Sequence, residues 1–250
     1  MDNKKEKIKN FSLELLFPSF CLGCQKEGTY LCQDCRALLE ISEHNYCLCS
    51  QNPSRIFTEQ KSGKCRRCQD KRLSGLYFAL SYKEKPLTRK LIHNFKYAPY
   101  IKDLSETLAS LIIEHLVLTK RNTEDIWQNS VLIPVPLDKK KLKTRGYNQS
   151  EELAKELSKI LQTPVLSDVL IKTKTTSPQM ELSKEKREKN LKDAFSIKNS
   201  TTDGSVVLRG KKIFLVDDVY TTGSTMEECA KKLRLSGAKQ VWGICIAREG

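Results

Sequence analysis

Ile213-Phe214-Leu215-Val216-Asp217-Asp218-Val219-Tyr220-Thr221-Thr222-Gly223-Ser224-Thr225 decides how the rest of this 250-residue chain is read. Its first four residues are apolar, as a short strand buried on both faces requires. A helix follows, with Met226, Cys229, Ala230 and Leu233 on one side and Gly237 closing it. A strand that passes through a hydroxyl-rich loop into a helix presents N-terminal amides to a phosphate dianion, and Gly223 lets backbone approach it closely. Ser224 and Glu227 have capping-box spacing, which sets the helix start at the loop. Asp217 and Asp218 precede that cradle, where carboxylates would repel a bare phosphate. A phosphate joined to a sugar removes the conflict: the carboxylates accept hydrogen bonds from ribose hydroxyls while Thr221, Thr222, Gly223, Ser224 and Thr225 hold the ester. A hydroxyl-rich cap beside solvated aspartates is the bland alternative, and it does not explain why the two features fall in register.

Outward from this stretch, strands and helices alternate. Residues 76–80 are aromatic and apolar, as a strand should be. Leu104, Leu108, Leu111 and Ile112 follow helical spacing behind Asp103, an expected N-cap with Glu106 three residues on. Residues 131–133 read as a buried strand ending at Pro134, and Leu153, Ala154, Leu157, Ile160 and Leu161 form a second helical stripe. A last strand covers 241–247. The alternation predicts an α/β domain over residues 76–250 with a mainly parallel sheet, whose ligands bind outside the carboxyl ends of the strands. A triphosphatase would use Asp217 or Asp218 to hold a metal, but its partner loop, G-x-x-x-x-G-K-[ST], is missing from the sequence. G-x-S-x-G and H-E-x-x-H are missing too, which removes two hydrolase readings.

Residues 1–75 have a different character. Eight of the ten cysteines fall there, as Cys21-x2-Cys24, Cys32-x2-Cys35, Cys47-x-Cys49 and Cys65-x2-Cys68. Paired thiolates on tight turns supply the four soft ligands that tetrahedral Zn2+ needs, so two structural zinc sites are expected. Sequential pairing is expected over a crossed one, and the short Cys47-x-Cys49 makes the second site the less regular. Disulfides in an exported domain are the alternative. Against export, Glu14 and Pro18 interrupt the apolar stretch behind the basic start, so a cytoplasmic chain with reduced thiols is expected. Closed four-cysteine sites leave no position for a catalytic water. Cys229 and Cys245, outside this cluster, read as ordinary buried residues.

Lys and Arg number 44 against 30 Asp and Glu, a net charge of +14 spread along the chain rather than gathered in one arm. That balance suits phosphate-bearing partners, a nucleotide-like small molecule or nucleic acid, while solvated lysine faces explain it equally well. A mean hydropathy of −0.48 and the lack of a long apolar run argue against membrane insertion.

Val216 to Thr225 resembles the phosphoribosyl-diphosphate (PRPP) signature of type I phosphoribosyltransferases. Pro134-Val135-Pro136-Leu137, Arg145-Gly146-Tyr147-Asn148-Gln149, and Thr176-x2-Gln179-x2-Leu182-x4-Arg187-x2-Asn190-x4-Phe195 resemble the ComF family, as does Phe17-Pro18-x2-Cys21-x2-Cys24 in the head. The likeness runs from about residue 11 to 248. Tyr147 stands where Phe is common, and the Cys47-x-Cys49 spacing departs from the usual pair. The resemblance implies a type I phosphoribosyltransferase fold preceded by a small zinc-ribbon-like domain. It assigns Asp217 and Asp218 to the ribose as the catalytic doublet, and residues 221–225 to the 5′-phosphate. Arg145 and Lys96 are diphosphate candidates, with Mg2+ accompanying PRPP. Lys139, Lys140, Lys141, Lys143 and Arg145 form a loop that could close over diphosphate. Arg187 is structural or faces the site, and His93 is given no role. The family's association with DNA uptake implies a second reading. There the chain handles single-stranded DNA with other uptake proteins, PRPP being regulatory or vestigial, and lysines near Tyr97, Tyr100 and Tyr147 combine charge with base stacking; the alternative is that these aromatics are simply core.

Overall fold

In a computed structural model the described residues are 18–57, 62–83, 85–121, 124–174, 193–198 and 208–249. Phe17 and the run from Thr176 to Asn190, including Gln179, Leu182 and Arg187, lie outside them.

Four strands form the central sheet: β3 (Gly75–Ser81), β4 (Ser130–Pro134), β7 (Lys212–Tyr220) and β8 (Gln240–Arg248), in the order β3-β8-β7-β4 and parallel throughout. The helices around it are α2 (Pro86–Lys96), α3 (Leu104–Leu118), α4 (Glu124–Trp127), α5 (Lys139–Arg145), α6 (Gln149–Leu161) and α7 (Ser224–Leu235). The further elements include a short α1 (Gln33–Ala37) and two antiparallel pairs, β1 (Asn45–Tyr46) with β2 (Arg55–Ile56) and β5 (Leu170–Lys172) with β6 (Phe195–Ile197).

Strand alternation sorts the core into two layers. Ile213, Leu215, Val241 and Cys245 join Met226, Cys229, Ala230 and Leu233 of α7 in one buried cluster. On the other face Phe214 meets Trp127 at 4.4 Å, and Tyr77 stacks on Trp242 at 5.1 Å and meets His115 of α3. Cys229 and Cys245 are both fully buried, as expected. Two local expectations fail. Asp103 makes no capping bond, and Ile160 is 53% exposed because it lies beyond the α6 stripe that Leu153, Ala154 and Leu157 complete.

The winding of the sheet reverses between β4 and β7. From β4 the chain passes through α6 to Val165, which bridges Leu132 in parallel beyond the sheet edge; from β7 it passes through α7 to β8 on the opposite side. A parallel sheet opens its ligand crevice at such a reversal, outside the strand carboxyl ends. Asp217 and Asp218 stand there, within β7 rather than after it.

The chain divides into two compact units, Met1–Glu40 and Ile41–Gly250. Each holds one group of four cysteines, Cys21, Cys24, Cys32 and Cys35 in the first and Cys47, Cys49, Cys65 and Cys68 in the second. The sequential pairing is therefore the one the fold adopts.

Candidate ribose-phosphate site and cysteine tetrads

Asp218 is 3% exposed and receives the Lys96 ammonium on Oδ1 at 2.9 Å. Lys96 ends α2, and Tyr147 fixes that end by donating its hydroxyl to the Phe95 carbonyl at 2.5 Å. Burial pulls the Lys96 ammonium down, but the Asp218 carboxylate outweighs it and holds the pKa above the ordinary value. The second oxygen of Asp218, Oδ2, is buried without a partner among the described residues. Such an orphaned acceptor is costly unless a donor arrives.

Asp217 accepts from the Ser150 hydroxyl at 3.0 Å and from the Asp218 amide at 2.9 Å. Burial first, and the Asp218 charge second, push its carboxyl up to about 7, against the opposing pull of Lys96. Ser150 reaches it because Asn148 starts α6 at this point. The Asn148 side chain accepts from the Ser150 amide at 3.2 Å and donates to the Val135 carbonyl at 3.1 Å. Gly146, at φ +83°, ends α5 in the left-handed conformation that turns the chain toward that cap. The stretch Arg145 to Gln149 is thus a joint that holds α2, α5 and α6 around the carboxylates. Tyr147 is buried in it, so the stacking role expected for Tyr147 is corrected: its ring is spent on Phe95.

The hydroxyl-rich loop follows directly. Gly223 is the N-cap of α7 at φ +81°, and the Thr222 hydroxyl oxygen accepts from the Ser224 amide at 3.4 Å. The Thr222 and Ser224 hydroxyls pair at 2.8 Å at the mouth of the helix. The expected capping box of Ser224 and Glu227 does not form. Glu227 instead accepts from the Arg72 and Leu73 amides at 2.6 and 3.4 Å, because a segment distant in sequence supplies two N–H groups. The start of this twelve-residue helix turns its positive dipole end toward an anion.

The other expected cations are arranged less directly. Arg145 donates to Gln149 Oε1 and lies 6.0 Å over the Tyr97 ring. Asp138 caps α5 by accepting from the Lys140 amide at 2.9 Å, and none of the side chains of α5 is buried, so its four lysines stand in solvent. Sequence reasoning missed Ser150, Asp138 and Lys172. The Lys172 ammonium, on β5, is pushed down by burial and by Lys141, with Asp138 and Asp217 opposing, so β5 shares the field of this site. Ser150 had a local signal, its place two residues after Asn148 in the first turn of a helix; Lys172 had none.

In each cysteine tetrad the sulfurs lie within 4.8 Å of one another, and either set could hold a metal ion. Backbone amides point at sulfur, Cys32 to Cys21 Sγ at 3.4 Å and Ser54 to Cys47 Sγ at 3.1 Å. Burial and the neighbouring thiols push Cys35 and Cys49 up to about 12. Burial also acts on Cys21 and Cys65, but amides and neighbouring thiols outweigh it and bring both down to about 6. The four thiols of each group thus differ in how readily they ionise, one favoured and one opposed by its surroundings. Four sulfur donors this close together fit Zn2+.

A family model described as a phosphoribosyl transferase domain matches residues 143–250. Competence protein F of Haemophilus influenzae is 33% identical over 232 residues, covering 87% of this chain and 97% of that protein. DNA utilization protein YhgH of Escherichia coli K12 is 32% identical over 183 residues, 72% of this chain and 77% of that one. Among solved structures, a glutamine PRPP amidotransferase from B. subtilis shares 21% identity at a TM-score of 0.33, over 57% of this chain and 25% of that one.

Proposed function

Because the chain belongs to the ComF family of phosphoribosyltransferase-type proteins, we propose that it binds PRPP with Mg2+ at the carboxyl end of β7 and serves DNA uptake or utilisation. The observation that carries this reading is the acidic doublet, with Lys96 and Ser150 upon it, directly upstream of the helix start that Gly223 opens. The orphaned Oδ2 of Asp218 accepts a ribose hydroxyl, and the loop 221–225 receives the 5′-phosphate. Lys96 stands at the boundary between carboxylates and solvent, where a cation stabilises a departing diphosphate. Hard oxygen donors and a phosphate-rich ligand fit Mg2+, which when bound offsets charge on the diphosphate. The tetrads serve as structural Zn2+ sites.

The relatives' names, competence protein F and DNA utilization protein, support the DNA context. One surface favours direct contact with single-stranded DNA: the solvent-exposed lysines of α5 with Tyr97, 40% exposed, beneath Arg145.

Calorimetric titration of PRPP, with and without Mg2+, tests the central claim. Replacing both carboxylates, Asp217→Asn with Asp218→Asn, should weaken binding by roughly tenfold or more, the worth of a charged acceptor. Unchanged affinity would defeat the ribose assignment. Anisotropy of a labelled single strand should fall steeply as salt rises, and no binding at low salt would remove the DNA contact.

A further inference from the structure

Tyr220, the last residue of β7, is 1% exposed and stands between the ribose-phosphate loop and the second cysteine tetrad. Its hydroxyl donates to the carbonyl of Leu48, the residue between Cys47 and Cys49, at 3.2 Å. The Lys71 ammonium, three residues after Cys68, donates to that same hydroxyl at 3.1 Å. On its other side the ring lies against the loop: a Cβ built on Gly223 would come within 2.3 Å of the Tyr220 hydroxyl and 2.5 Å of Cζ. One aromatic ring therefore touches both the N-cap of α7 and the backbone that presents two metal-binding thiols.

Two further side chains span the same gap. Arg248 pairs with Tyr220 across β7 and β8, is 1% exposed, and donates Nη1 to the Cys47 carbonyl at 2.8 Å and Nη2 to the Cys49 carbonyl. Its guanidinium lies 5.6 Å from the Tyr220 ring centre. Glu227, in the first turn of α7, takes the Arg72 and Leu73 amides just beyond Cys68. Strands β7 and β8 and helix α7 thus each contribute a side chain hydrogen-bonded to main-chain atoms between residues 47 and 73. Among the described residues of this segment the regular structure is the two-residue β2 and one turn of 3-10 helix, so a metal that gathers the four thiols would add strongly to the fixing of those atoms.

We infer that metal at Cys47, Cys49, Cys65 and Cys68 and a ribose phosphate at residues 221–225 are energetically coupled, each tightening the other, with Tyr220 and Arg248 as the positioning residues that transmit the coupling. The inference rests on the ribose-phosphate reading given above. Coupling is reciprocal by linkage, so it can be read from the metal as well as from the ligand. It requires no change of fold, only that loss of the metal lets the 47–49 backbone move and releases the Tyr220 ring from beneath Gly223.

The test uses the full zinc-loaded chain. Zinc transfer to a chromogenic chelator is followed with and without saturating PRPP and Mg2+, after calorimetry has shown whether PRPP binds. One zinc equivalent should leave about fivefold more slowly or worse when PRPP is bound. In Tyr220→Phe, which removes only the hydroxyl, that difference should shrink toward none. Unaltered zinc release on a chain that binds PRPP overturns the coupling and leaves the ligand assignment standing. If PRPP fails to bind, the assignment falls, and amide hydrogen exchange without ligand decides the structural link. Exchange at residues 221–225 should quicken in Tyr220→Phe and in Cys49→Ser; unchanged exchange in both overturns the inference.

Discussion

At the scale of single residues, the doublet in β7 shows how neighbours divide two like carboxylates. Asp218 has a cation 2.9 Å away, while Asp217 has a hydroxyl and an amide and is pushed up to about 7. An aspartate ordinarily titrates near 3.8, so between about pH 4 and pH 7 the folded chain keeps a proton that the unfolded chain has released. Stability therefore falls as pH rises through that window, and the fall is complete above about 7. Urea unfolding at pH 5 and pH 8, compared between the parent and Asp217→Asn, should show this contribution as the part of the pH dependence that the substitution removes. Lys96→Met should push the Asp217 titration higher still, because the cation that opposes the shift is gone. PRPP affinity should move the opposite way, rising toward pH 8 as the better acceptor forms.

At the scale of elements, the loop that opens α7 depends on one backbone conformation. Gly223→Ala places a Cβ at φ +81° and against the Tyr220 hydroxyl, so it should cost about 2 kcal/mol in thermal unfolding and remove PRPP binding almost wholly. A mutant that melts and binds like the parent would show that the ring does not support the loop. This element was legible in the sequence because its signal is local: four apolar residues, a glycine and a run of hydroxyls lie within thirteen positions. The cysteine spacing was legible for the same reason, and so were the strands at 76–80, 131–133 and 241–247. What escaped reading depends on partners far along the chain. Glu227 had capping spacing but found amides 155 and 154 residues away, and Tyr147 looked like a stacking platform but closes a joint onto Phe95. Spacing reports what a helix can do alone, and tertiary donors override it.

At the scale of the whole molecule, the sheet interleaves the two halves of the chain. Strands β3 and β4 come from before the lysine-rich helix and β7 and β8 from after it, yet the order β3-β8-β7-β4 places the later pair between the earlier two. The connection itself, α5, buries no side chain and is held by caps at its ends, so its opening disturbs little else. Brief trypsin treatment should cut there early, at Lys139 to Arg145, and the two pieces should still co-elute on gel filtration and melt together. Separation after a cut at that place would contradict the strand order. The same geometry makes this turn a natural breakpoint for a split reporter: halves produced as separate polypeptides would clamp one another by strand insertion, and neither would complete the crevice alone.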